Sequence, residues 1–93
     1  MNKADVVSAV RIATGLVTNN ARAAVDSVFS TILSALANDD TVVITNFGVF
    51  NTEHKSESTR IDPRNGNKVV VPDRSVPRFR FAESVRLRFR KMK

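Results

Sequence analysis

The 93-residue chain carries fifteen Lys and Arg against nine Asp and Glu, a formal net charge of +6, and has room for one small domain. It contains no cysteine, which excludes disulfides and thiolate metal sites. No apolar run nears the ~20 residues of a membrane span and the N-terminus lacks a signal-peptide pattern, so the sequence predicts a soluble protein that works inside a cell or is packaged by something that does.

In chain order, Asn2 or a neighbour caps a first helix on which Val6, Val7, Val10 and Ala13 recur at near-helical spacing, and Gly15 stops it. Leu16 and Val17 form a short connector. Thr18 is the expected N-cap of a longer second helix. Its apolar face is Ala21, Ala24/Val25, Val28/Phe29, Ile32/Leu33 and Leu36, and Asn38-Asp39-Asp40 ends it. Two helices joined by so few residues are expected to pack as an antiparallel pair. Thr41 to Thr45 is strand-like, Asn46-Phe47-Gly48 is a turn, and Val49-Phe50 resumes extended structure.

From Asn51 to Ser75 the chain has the pattern of a long hairpin. Its centre, Ile61-Asp62-Pro63-Arg64-Asn65-Gly66-Asn67, is turn chemistry: Pro63 fixes φ, Asp62 can bond the backbone two residues on, and Gly66 accepts φ > 0. Legs of about ten residues would reach roughly 33 Å, so the hairpin is expected to project from the body. A lone two-stranded ribbon is marginal in water, which predicts a mobile arm that orders on a partner. The return leg, Val76 to Phe81, alternates so that Phe79 and Phe81 share one face and Arg78 and Arg80 the other. Residues 82–91 fit a short basic helix docked by Val85 and Phe89; the even-numbered arginines fit a strand nearly as well.

The charge is lopsided. Residues 1–46 sum to −1 and residues 47–93 to +7, which suggests a near-neutral scaffold bearing a polyanion-binding surface. Ten of the fifteen cations are arginine, a side chain suited to phosphate; the plainer reading is a solvated basic face. If about 25 residues form an arm, too few remain for a self-sufficient core. The six Phe supply most of the bulky apolar mass, so a dimer that shares its core is expected. His54 has no carboxylate cluster around it, Asp39-Asp40 fits helix capping better than catalysis, and three glycines make no phosphate loop. Neither an enzyme nor a cofactor or metal site is expected.

The order of elements, together with Met1-Asn2-Lys3, Phe47-Gly48-Val49-Phe50, Pro63-Arg64-Asn65-Gly66, Pro72 and Val76-Pro77-Arg78-Phe79, resembles the HU/IHF family of histone-like DNA-bending proteins over essentially the whole chain. The resemblance implies an α+β fold: an IHF-like intertwined dimer with two N-terminal helices, a three-stranded antiparallel sheet extended into a β-ribbon arm, and a short C-terminal helix. Within one domain, residues 1–40 would be the dimerisation base, 41–81 the sheet with its arm at 51–75, and 82–93 the basic helix. The arms would enter the minor groove of double-stranded DNA and wedge their tip prolines between base steps. The general description of such binding, built in part on this family, is that unstacking costs a few kcal/mol per step and permits a kink of about 20–90°.

Residue by residue, Pro63 matches the wedge, Lys55 a basic arm position, Arg86 a basic position of the last helix, and Lys3 the N-terminal lysine. Arg60, Arg64, Lys68 and Arg74 on the arm, and Arg78 and Arg80 on the return strand, complete the expected DNA-binding set. For Arg86, Arg88 and Arg90, compensation of a helix dipole explains the charges equally well. The chain departs from the family at Ile61 for the arm arginine, Arg60 for glycine, Asp62 for the asparagine before the proline, Asn46 for the glycine before Phe47, and Glu83 for a frequently basic residue. Asp62 sets a negative charge beside phosphates, which Arg60 and Arg64 would offset. The implied function is architectural binding, bending and compaction of DNA with little base specificity, by a homodimer or a heterodimer with a paralogue. It would act in the cytoplasm at the nucleoid, or in a virion or host nucleoid if the source is viral. The alternatives are a site-specific IHF-like bender, an RNA-binding basic module, and a structural protein whose arm extends a partner's sheet edge.

Overall fold

The computed structural model describes residues 1–92; Lys93, the end of the expected basic helix, lies outside them. The elements in order are α1 (Lys3–Thr14), α2 (Thr18–Ala37), β1 (Val42–Ile44), β2 (Gly48–Lys55), β3 (Ser58–Ile61), β4 (Lys68–Val71), β5 (Arg74–Phe81) and α3 (Glu83–Met92).

Local chemistry accounts for most of the boundaries. Asn2 and Asp5 form a reciprocal capping box: the Asp5 amide donates to Asn2 Oδ1 at 3.1 Å, and the Asn2 amide to Asp5 Oδ2 at 2.9 Å. Gly15, at φ 75°, closes α1 in the left-handed conformation. Thr18 is not the cap of α2. Val17 holds that position with no side-chain hydrogen bond, and Thr18 is already helical, so no hydroxyl caps this helix. At its other end Asp39 takes φ 57°, and the Asp39 and Asp40 amides donate back to Leu36 and Ala35 carbonyls. That is the Schellman pattern, with an aspartate where glycine is commoner.

β1, β2 and β5 form an antiparallel sheet in the order β1-β2-β5. The turn between β1 and β2 is closed by the Phe47 amide donating to the Ile44 carbonyl at 3.0 Å, with Asn46 at φ 63°. Asparagine tolerates that region better than any bulky residue, which explains how it replaces a glycine there. β2 and β5 pair from Gly48↔Phe81 to Lys55↔Arg74, and β3 and β4 continue from Ser58↔Val71 to Ile61↔Lys68. Each leg advances three residues across the gap, so the register is unbroken and the two ladders are one hairpin. The gap falls where Pro72 has no N–H to give. There the Asp73 carboxylate accepts the Glu57 amide instead.

The buried core is small: Val7, Ala21, Val25, Ile32 and Leu36, with Val6 and Val10 packed against Val7, Ala21 and Val25. Ala13 lies exposed near the C-terminal end of the α1 stripe. The other half of the expected α2 face (Val28, Phe29, Leu33) is open to solvent in the protomer. Residues 83–92 are helical, which decides against the strand alternative; Val85 is half-buried as expected, and Phe89 lies beside Phe47 and Phe81 with about half of its surface exposed.

Candidate nucleic-acid interface

Strand alternation sorts the sheet's side chains onto two faces. Gly48, Phe50 and Thr52 face α2, where the Thr52 hydroxyl donates to the Leu36 carbonyl at 3.3 Å. Their partners Phe81, Phe79 and Pro77 lie on the same side. Phe79 packs against Phe50 with tilted rings at a centroid distance of 4.6 Å and meets Phe81 edge-on at 4.7 Å. Phe50, Phe79 and Phe81 thus form the sheet's inner layer.

The outward row is Val49, Asn51, Glu53 and Lys55 on β2 opposite Arg80, Arg78, Val76 and Arg74 on β5. Four expected DNA-binding residues, Lys55, Arg74, Arg78 and Arg80, therefore share one face. Beyond the gap, Arg60 pairs with Val69 and Lys68 with Ile61, so those two cations emerge from opposite faces of the ribbon. Ile61 and Val70 stand well exposed on the face that carries Lys68.

At the tip, the Asp62 carboxylate accepts the Arg64 amide at 2.9 Å. The Asp62 amide donates to the Asn67 carbonyl and the Gly66 amide to the Asp62 carbonyl, each at 2.8 Å. Gly66 takes φ 73°. This Asx-type closure holds Pro63 exposed at the apex. Asp62 also lies 3.5 Å from Arg64 Nε, whose side chain is otherwise in solvent.

The two remaining expected residues lie apart. Lys3 Nζ is 2.8 Å from Asp26 Oδ1, tying α1 to α2. Arg86 sits on α3 beyond the end of β5, and Arg90 and Lys91 occupy its last turn, where cations suit the helix dipole. Sequence reasoning missed two carboxylates that hold site cations: Asp26 on Lys3, and Glu53, whose Oε2 accepts from Arg78 Nε at 3.1 Å. The second was recoverable in principle, because aligning the two legs from the tip turn makes Glu53 and Arg78 diagonal neighbours on one face. His54 Nε2 lies 3.7 Å from Asp73 at the ladder gap. No group of three metal-ligating side chains occurs among the described residues, nor is any helix among them long and apolar enough to cross a membrane.

Comparison with known proteins places this arrangement. A family model described as bacterial DNA-binding protein matches residues 1–90. The chain is 39% identical over 80 residues to DNA-binding protein HU 1 of Bacillus subtilis, covering 86% of this chain and 87% of that one. It is 39% identical over 79 residues to DNA-binding protein HRL18 of Rhizobium leguminosarum, covering 85% and 87%. Among solved structures, an Anabaena HU–DNA cocrystal structure superposes with a TM-score of 0.87 at 26% identity, over 96% of this chain and 97% of that one. An HU variant from Thermotoga maritima shares the fold, with a TM-score of 0.70 at 21% identity over 96% and 99%. A match of this extent, over the same helices, sheet and arm, assigns the chain to the HU family of bacterial DNA-binding proteins.

Proposed function

We propose that the chain binds double-stranded DNA as a dimer and bends it with little base specificity. The outward sheet face lies against the duplex, and the arm reaches along the minor groove to insert Pro63. One observation carries the reading: the unbroken register of the hairpin sets the cations of the sheet face and an exposed tip proline on one continuous ribbon. Phosphate contacts by Lys55, Arg74, Arg78 and Arg80, with Arg60, Arg64 and Lys68 on the arm, supply affinity, and the ease of deforming the duplex supplies what preference there is. Lys3 and Arg86 serve the flanks, Lys3 after exchanging Asp26 for phosphate.

The dimer follows from the open apolar surface. Phe29, Leu33, Phe79 and their neighbours line a groove that one protomer leaves uncovered, and a second copy closes it into a shared core. Relatives named HU support non-specific binding over the site-specific alternative, and the cocrystal relative is bound to DNA, which weighs against an RNA module. The same family membership supports a place at the nucleoid.

The test is Pro63→Ala in a FRET bending assay across a salt series. Affinity of both proteins is expected to fall steeply and linearly on a log–log salt plot, with bending reduced more than binding in the variant. A flat salt response would overturn DNA binding; full bending by the variant would overturn the wedge alone.

A further inference from the structure

The outward sheet face holds two arginines in different states. Arg80, opposite Val49, takes part in no ion pair among the described residues. Arg78, two residues earlier on the same strand face, is bound through Nε to Glu53 at 3.1 Å, with both side chains about half exposed. Together with Val49, Asn51 and Arg80, this pair lines a shallow depression on the face. Glu53 thus places a negative charge within the surface that would receive a polyanion.

We propose that Glu53 is an affinity-setting residue of the DNA interface: it neutralises Arg78 until a backbone phosphate displaces it. This rests on the outward sheet face being part of that interface. The exchange swaps one anionic oxygen for another at the same guanidinium. In the unsubstituted protein, the cation released from the DNA when Arg78 reaches a phosphate is balanced by the charge left uncovered on Glu53. Arg78 therefore adds little to the net ion release that drives association. An exposed pair of this kind is weak and easily opened, so Arg78 remains available while its contribution is discounted. The opposite role is that Glu53 steadies the guanidinium through Nε and aims its unbonded terminal nitrogens at DNA. That role predicts an effect of the opposite sign, so the sign decides.

The experiment measures the dissociation constant for a linear duplex at several salt concentrations, by fluorescence anisotropy, for the full chain and the variants Glu53→Gln, Arg78→Gln and the double substitution. Thermal melts check that each is folded; the positions are exposed and none is in the core. Glu53→Gln is expected to bind about two- to five-fold more tightly at low salt and to steepen the log–log salt slope by up to about 0.9, one phosphate's worth. In the Arg78→Gln background the same change is expected to have almost no effect on either quantity. Weaker or unchanged binding by Glu53→Gln overturns the proposal. So does an equal gain in both backgrounds, which would mark simple repulsion between carboxylate and DNA. No duplex binding by the unsubstituted chain would instead remove the DNA-binding reading, and this inference with it.

Discussion

Gly48 shows how narrow the tolerances of single residues are at the base of the ribbon. A Cβ added there would sit 2.6 Å from two ring atoms of Phe79 and 2.7 Å from the Arg80 carbonyl oxygen. The ring could turn only by disturbing its packing against Phe50, and the carbonyl belongs to the strand. Gly48→Ala is therefore expected to destabilise the protein by about 1–3 kcal/mol, read as a lower denaturation midpoint with an unchanged slope. The need for a glycine was visible in the sequence only as a resemblance; its cause is the aromatic ring that crosses it from β5. Asp62 is the converse case. Its bond to the amide two residues on follows from Asp-Pro turn chemistry alone, and the structure has it at 2.9 Å.

At the scale of elements, the arm is one hairpin in register but two ribbons in stability. The inner ribbon, β2 with β5, lies on α2 and carries the phenylalanine layer. The outer ribbon has only four paired positions on each leg, is exposed on nearly all of them, and is separated from the body by the ladder gap at Pro72. Opening of such a segment needs little free energy. In native-state hydrogen exchange, amides of residues 58–61 and 68–71 are expected to exchange far faster than those of α2 and the inner ribbon. Duplex DNA should slow them selectively. Equal protection of both ribbons without DNA would contradict this division. The hairpin, its tip and its projection were legible from turn residues and β-biased flanks. The division was not, because it depends on what lies beneath each part.

The whole molecule is extended, with axes of 57 × 35 × 28 Å and a radius of gyration of 19.0 Å, against about 12 Å for a compact chain of this length. Five buried apolar residues among those described are little to set against the conformational entropy of so open a fold, and Phe29, about half exposed in the protomer, would be a poor choice for a monomer's surface. Folding coupled to association makes the melting temperature rise with protein concentration. That rise is expected in scanning calorimetry over a hundred-fold concentration range. Phe29→Ala is expected to lower stability by about 3 kcal/mol or more if the ring is buried between protomers, with the loss of dimer visible by sedimentation. A negligible loss would mean that Phe29 remains in solvent.

What the sequence by itself determined is what depends on near neighbours along the chain: a cap at or beside Asn2, the stop at Gly15, the tip turn from Asp62 to Gly66, and the alternation that sets Phe79 and Phe81 against Arg78 and Arg80. These follow from dihedral preference and side-chain spacing over a few residues. Only the tertiary structure decided that Asp26 neutralises Lys3 across 23 residues; Glu53 for Arg78, across 25, could be reached only by carrying the strand register back from the tip turn. It also decided which half of the α2 apolar stripe is covered within one protomer. Helix crossing and strand register settle such pairings, and no window of neighbouring residues contains both partners.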